Sequence, residues 1–159
     1  MDTSDIRQFV PHAGMMCLLD SIIACGDDWL EAEVSIRPES LFCDGSSVGA
    51  WVGIEYMAQA ISAFAGVRAR RRNQAVRIGY LVGTRQLLSH WPVFPVNSRL
   101  KMRVDREFEA DNGLSVFNCR ITCANEAVAT ATITVFQPAE PLVSGADGSG
   151  GKSAWPVMS

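Results

Sequence analysis

Two periodicities organise the apolar and polar positions of this chain. A short apolar run, Cys17 to Ala24, meets a turn at Gly26-Asp27-Asp28, and Trp29-Leu-Glu-Ala-Glu-Val-Ser-Ile36 then alternates with a period of two. Alternation places successive side chains on opposite faces, so residues 17–37 predict an opening β-hairpin. After a loop holding Pro38, Gly45, Ser46 and Ser47, apolar residues recur at Trp51, Val52, Ile54, Met57, Ala58, Ile61, Phe64 and Ala65. This spacing predicts a long helix running to about Val67. Its apolar residues take up most of the circumference, which predicts a helix wrapped by a sheet rather than lying on a surface.

Charge breaks the pattern from Arg68 to Gln74, and three strand-like segments follow at Ile78–Leu88, Arg99–Glu109 and Leu114–Cys123. The last two are joined by Asp111-Asn112-Gly113, a hairpin signal. A further segment, Ala127 to Phe136, is rich in Val, Ile and Thr and starts after an Asn125-Glu126 turn. The expected order is hairpin, one long helix, then an antiparallel meander, an α+β class. From Pro138 the chain is rich in Gly, Ser and Pro and loses its periodicity, which predicts a folded domain over residues 1–137 and a flexible tail over 138–159 that includes Trp155.

Composition narrows the picture. With 159 residues, 48% of them hydrophobic, the chain has the size of one domain with one core. A net charge of -3 gives no global attraction to nucleic acid or to an anionic membrane, so any basic contact is local. No apolar run reaches the roughly 20 residues that span a bilayer. The opening Met-Asp-Thr-Ser-Asp also lacks the basic-then-apolar pattern of a signal peptide, so the cytoplasm is the expected compartment. The five cysteines (Cys17, Cys25, Cys43, Cys119 and Cys123) form no CxxC pair and read as reduced, mostly packing thiols. The two histidines, His12 and His90, are far apart and offer no zinc-ligand spacing.

Three blocks carry a family resemblance. Val10-Pro-His-Ala-Gly-Met-Met-Cys-Leu-Leu-Asp20 resembles the opening motif of the 3-hydroxyacyl-[acyl-carrier-protein] dehydratases. Gly53-Ile-Glu-Tyr-Met-Ala-Gln-Ala60 looks like their central-helix motif, with Gln four residues after Glu, and Gly79-Tyr-Leu-Val-Gly83 is similar to the strand that follows. Ala50-Trp-Val-Gly-Ile-Glu-Tyr56 looks closest to the dehydratase-like branch associated with aryl-polyene pigment clusters. The resemblance spans about Val10 to Gln137. It implies a hotdog fold, with an antiparallel sheet around one central helix, and the elimination of water from a 3-hydroxyacyl thioester. It further implies a substrate borne on the 4'-phosphopantetheine of an acyl carrier protein, no other cofactor, and a homodimer or a heterodimer with a related dehydratase subunit.

Such an elimination needs a base for the proton beside the carbonyl, an acid for the departing hydroxyl, and a donor to polarise the thioester oxygen. Glu55 on a mostly apolar helix suits the first two tasks, because burial raises a carboxyl pKa towards working pH. Gln59, one turn on, shares its face and Ser62 continues the stripe; a satisfied polar seam in the core is the bland alternative. The family's loop motif Gly-His-Phe-Pro has Leu41-Phe-Cys-Asp-Gly-Ser-Ser-Val48 as its counterpart here, without a histidine. His12, Cys43 and Asp44 are the candidate replacements, against ordinary lives as a structural histidine, a loop thiol and a solvated acid. The family's glycine that binds the thioester oxygen is matched by Ala50, whose amide at a helix start is the expected donor.

By the resemblance, Ala50, Trp51, Gln59 and Gly83 line the substrate site. Arg68, Arg70, Arg71 and Arg72 sit at the helix C-terminus, where the dipole favours positive charge, and form a candidate docking patch for the acidic carrier protein. Two alternatives stand beside the complete enzyme: a non-catalytic subunit whose partner brings the missing histidine, and an acyl thioesterase.

Overall fold

A computed structural model of the protein describes residues 5–9, 17–75 and 79–138. His12, Ile78 and the segment from residue 139 onward, Trp155 included, lie outside the described residues. The opening hairpin is strands β1 (Ser21–Cys25) and β2 (Trp29–Ser35), paired antiparallel with Cys25 opposite Leu30. A short strand β3 (Ser47–Gly49) leads through a 3-10 turn, Ala50–Val52, into helix α1 (Gly53–Arg71). Strands β4 (Tyr80–Ser89), β5 (Val93–Pro95), β6 (Arg99–Glu109), β7 (Leu114–Cys123) and β8 (Glu126–Phe136), with a 3-10 turn Ile6–Gln8 ahead of β1, complete the described elements.

Alternation accounts for the sheet. Leu30, Ala32 and Val34 of β2, Leu100, Met102 and Val104 of β6, and Phe117, Cys119 and Ile121 of β7 are all buried on one face. The opposite face carries charge: Glu33 meets Arg99 at 2.7 Å and Arg103 reaches Glu31 at 3.1 Å while lying 4.0 Å over the Trp29 ring. One side of the sheet is therefore core and the other is wet. At the β7–β8 turn Ala124 and Asn125 both hold positive φ, as the two-residue hairpin turn demands.

Helix α1 lies on the apolar face, and all ten residues from Glu55 to Phe64 are buried. No helix can bury ten consecutive residues against one surface, so its far side is covered as well. Phe9 does part of this. At Gly66 a β-carbon would come within 1.9 Å of the Phe9 carbonyl oxygen, a backbone approach only glycine permits. Burial of Ile61 and Phe64 contributes about 1.5–3 kcal/mol each.

Three sequence expectations need correction. The helix ends at Arg71, beyond Val67, because arginines are good helix formers and the stop is Asn73: it takes φ 53°, its N–H bonds Arg70 O, and Gln74 N–H bonds Ala69 O. Trp51 precedes α1, in the 3-10 turn. The expected meander also fails at its first member. The sheet order is β1-β2-β6-β7-β8-β4, so β4 crosses to the far edge beside β8, while β3 and β5 form a separate two-stranded sheet. Among the described helices, none is long and apolar enough to cross a membrane.

Candidate active site

Glu55 stands in the first turn of α1, 6% exposed. Burial raises its carboxyl pKa above the ordinary value, opposed by a hydrogen bond from Gln59. Gln59 Nε2 donates to Glu55 Oε1 at 3.4 Å, and Gln59 Oε1 accepts from the Leu18 N–H at 2.7 Å. The backbone ahead of β1 thus orients the Gln59 amide, which in turn orients the carboxyl. Leu18 was not foreseen as part of the site, since a backbone donor leaves no mark in a side-chain pattern. Ser62, also foreseen on this face, is buried at 2% exposure.

The pre-helix loop brings no base to Glu55. Asp44 is exposed, and its Oδ1 accepts from Ser46 N–H, Ser46 Oγ and Ser47 N–H, each at 2.9 Å. Those donors hold its pKa below the usual carboxylate value, the reverse of what a base near neutrality needs, and it makes no electrostatic contribution at Glu55. Cys43 is half-buried and bridges to Val48. Phe42 holds φ 69°, a left-handed conformation that costs a bulky residue about 1–2 kcal/mol. Its ring meets Trp51 edge-on at 5.5 Å, and Trp51 is 58% exposed. His90 is an exposed residue at the end of β4 whose N–H bonds Val128 O.

The other matched positions scatter. The Ala50 N–H, expected to receive the thioester oxygen, already donates to Pro92 O at 3.1 Å, next to the β3–β5 pairing that the sequence did not reveal. Gly83 lies on the sheet-edge strand β4, beside a break in its register. The arginines separate too. Arg68 turns inward to Glu109 at 2.9 Å, while Arg70, which lies over the Phe9 ring at 5.4 Å, is exposed together with Arg71 and Arg72. At 1.5 Å per residue the patch begins about 20 Å along the axis from Glu55.

The other unforeseen residue is Tyr56, 2% exposed, whose phenol is pushed up to about 12 by burial and by the neighbouring Cys43 and Asp20. An aromatic inside a helical apolar run gives no hint that its hydroxyl will be stranded. Beside it, a cleft of about 340 Å³ runs between Leu18, Val34, Arg37 and Leu41.

Comparison with known proteins fits this geometry. A chain of the dehydratase heterocomplex ApeI:P from Xenorhabdus doucetiae superimposes with a TM-score of 0.78 at 25% identity, covering 84% of this chain and 90% of that one. Cj0977, a sigma28-regulated virulence protein from Campylobacter jejuni, gives 0.64 at 13% identity, covering 88% and 92%. A hypothetical thioesterase from Streptococcus pneumoniae, solved with coenzyme A, gives 0.59 at 11%, covering 76% and 87%. These last two share the fold alone. No curated protein sequence matches the chain. The family model described as ApeP dehydratase matches residues 4–144, nearly the whole chain, so this hotdog protein belongs to the ApeP-like dehydratase family.

Proposed function

We propose that this chain is the Glu55-bearing half of a dehydratase that removes water from a 3-hydroxyacyl thioester held on an acyl carrier protein, working with a second dehydratase subunit that supplies the loop base. The observation that carries the reading is the Glu55–Gln59–Leu18 relay. It is a buried carboxyl with a raised pKa, fixed in direction by a clamped amide, with no second acid or base from the pre-helix loop beside it. In the elimination the partner's base takes the proton from the carbon beside the thioester carbonyl. The electron pair forms the new carbon–carbon double bond, the bond from the next carbon to its hydroxyl breaks, and Glu55 protonates the departing oxygen to give water. A carboxyl whose pKa is raised by burial is suited to that donation.

Strand β4 supports the pairing. Among the described strands it pairs with β8 alone, and Leu81, Val82, Leu87 and Leu88 along it are 41–60% exposed. An unpaired apolar edge is a template for another strand. The X. doucetiae heterocomplex is a precedent for two dehydratase chains together. The pathway served is fatty acid or polyene biosynthesis in the cytoplasm, and no cofactor beyond the substrate's own 4'-phosphopantetheine is called for. The exposed Arg71 and Arg72 offer charge to the acidic carrier.

Purified chain, alone and with a histidine-bearing dehydratase subunit, is to be given a 3-hydroxyacyl carrier protein while the enoyl product is followed. Activity is expected only with the partner, and Glu55→Gln is expected to lower it about 10²–10⁴-fold. Full activity of the Gln variant refutes the assignment, and thiol release in place of enoyl product selects a thioesterase.

A further inference from the structure

The Glu55 chemistry leaves the buried Tyr56 hydroxyl unused. Tyr56 is 2% exposed, and among the described residues its hydroxyl has no hydrogen-bond partner. Buried phenol hydroxyls normally have a partner, because an unpaired one forfeits the bonds it made to water. This phenol stays a neutral donor at physiological pH.

Tyr56 and the buried Val34 floor the 340 Å³ cleft, and Asp20, Arg37 and Leu41 form its exposed rim. That volume is in the range of small-molecule sites. The rim is no seat for an anion: Asp20 and Glu39 outnumber Arg37, which already meets Asp20 at 3.4 Å. Inside the rim the lining combines the apolar Leu18 and Val34 with the polar Ser35 and Ser40. Leu18 belongs to the cleft and to the relay, since its N–H holds Gln59. A route therefore leads from solvent to the residues that position Glu55.

We propose that this cleft seats the pantetheine arm of the carrier-bound substrate, with Tyr56 donating its O–H to an amide carbonyl of the arm. Pantetheine is a neutral chain of amides and short apolar segments, which suits a lining of mixed polar and apolar character. Its phosphate end is left outside the acidic rim. The choice of pantetheine rests on the dehydratase reading above, whereas the stranded hydroxyl and the cleft do not.

Calorimetric titration of the full chain with pantetheine is the direct test. Saturable binding is expected, weakened about three- to tenfold by Tyr56→Phe, which deletes only the hydroxyl. Leu41→Trp, made at an exposed rim position, is expected to weaken it as well by filling the mouth. No saturation up to about 10 mM, or equal affinity in wild type and Tyr56→Phe, overturns the proposal and leaves the hydroxyl to water. In the partnered dehydration assay Tyr56→Phe is expected to raise KM with kcat nearly unchanged, the mark of lost uniform binding. An unchanged KM counts against the cleft and spares the dehydratase reading. Pantetheine binding that depends on Tyr56 without any dehydration upholds the cleft and sinks that reading.

Discussion

Replacing Gln59 with leucine tests the relay at its middle member. The side chain is 1% exposed, so leucine keeps the apolar packing and removes both the acceptor for Leu18 N–H and the donor to Glu55. The half-buried Leu18 N–H, now without its 2.7 Å acceptor, costs about 1–2 kcal/mol. That corresponds to a fall of about 3–6 °C in Tm for a domain of this size. The carboxyl responds separately. Its folded-state pKa is raised by burial and lowered by Gln59, so losing Gln59 must raise it further. A glutamate with a raised folded pKa contributes stability that is complete below its unfolded value, and this contribution is lost as pH rises through the folded value. In Gln59→Leu the loss extends to higher pH. Carbon-13 titration of the Glu55 carboxyl, with melting curves across pH, reads both effects. A Glu55 that titrates at the ordinary glutamate value in the wild type, or a pKa unmoved by Gln59→Leu, refutes the reasoning.

Further outcomes follow from the packing and from the exposed surface. Gly66→Ala drives a β-carbon to 1.9 Å from the Phe9 carbonyl and is expected to destabilise the chain by about 1–3 kcal/mol in urea denaturation; an unchanged midpoint contradicts the close approach. Val82→Lys and Leu88→Lys, at positions 60% and 58% exposed, are expected to leave the far-UV circular dichroism intact and abolish association with a dehydratase partner in light scattering. If both variants still associate, β4 is not the pairing edge. Arg71→Glu with Arg72→Glu is expected to weaken carrier-protein binding about tenfold at low salt, and little above 0.5 M, where screening removes the contrast. Arg68→Glu acts differently: it breaks the Glu109 pair and shows first in stability.

Periodicity alone carried much of the fold. The period of two in Trp29–Ile36 became β2, the near-continuous apolar run after Trp51 became an enclosed helix, and Asp111-Asn112-Gly113 turned β6 into β7. The pairing of Glu55 with Gln59 was legible for the same reason, since four residues on a helix bring side chains to one face. These are local facts, set by backbone geometry within a few residues of each other.

Tertiary structure decided what local patterns cannot encode. The period of β4 tells that it is a strand but not which neighbour it pairs with, so its place beside β8 and its open edge emerged only from the folded sheet. β3 and β5, three residues each, are too short to show a period, and their pairing lies beside the bond that takes up the Ala50 amide. Arg68 reads as surface charge until Glu109, 41 residues away, draws it inward. Glu55 itself was named by the sequence as a carboxyl on an apolar helix. The burial that raises its pKa, the Leu18 N–H that aims its partner and the lack of a base from its own loop all arise from chain segments distant in sequence that packing brings together or keeps apart.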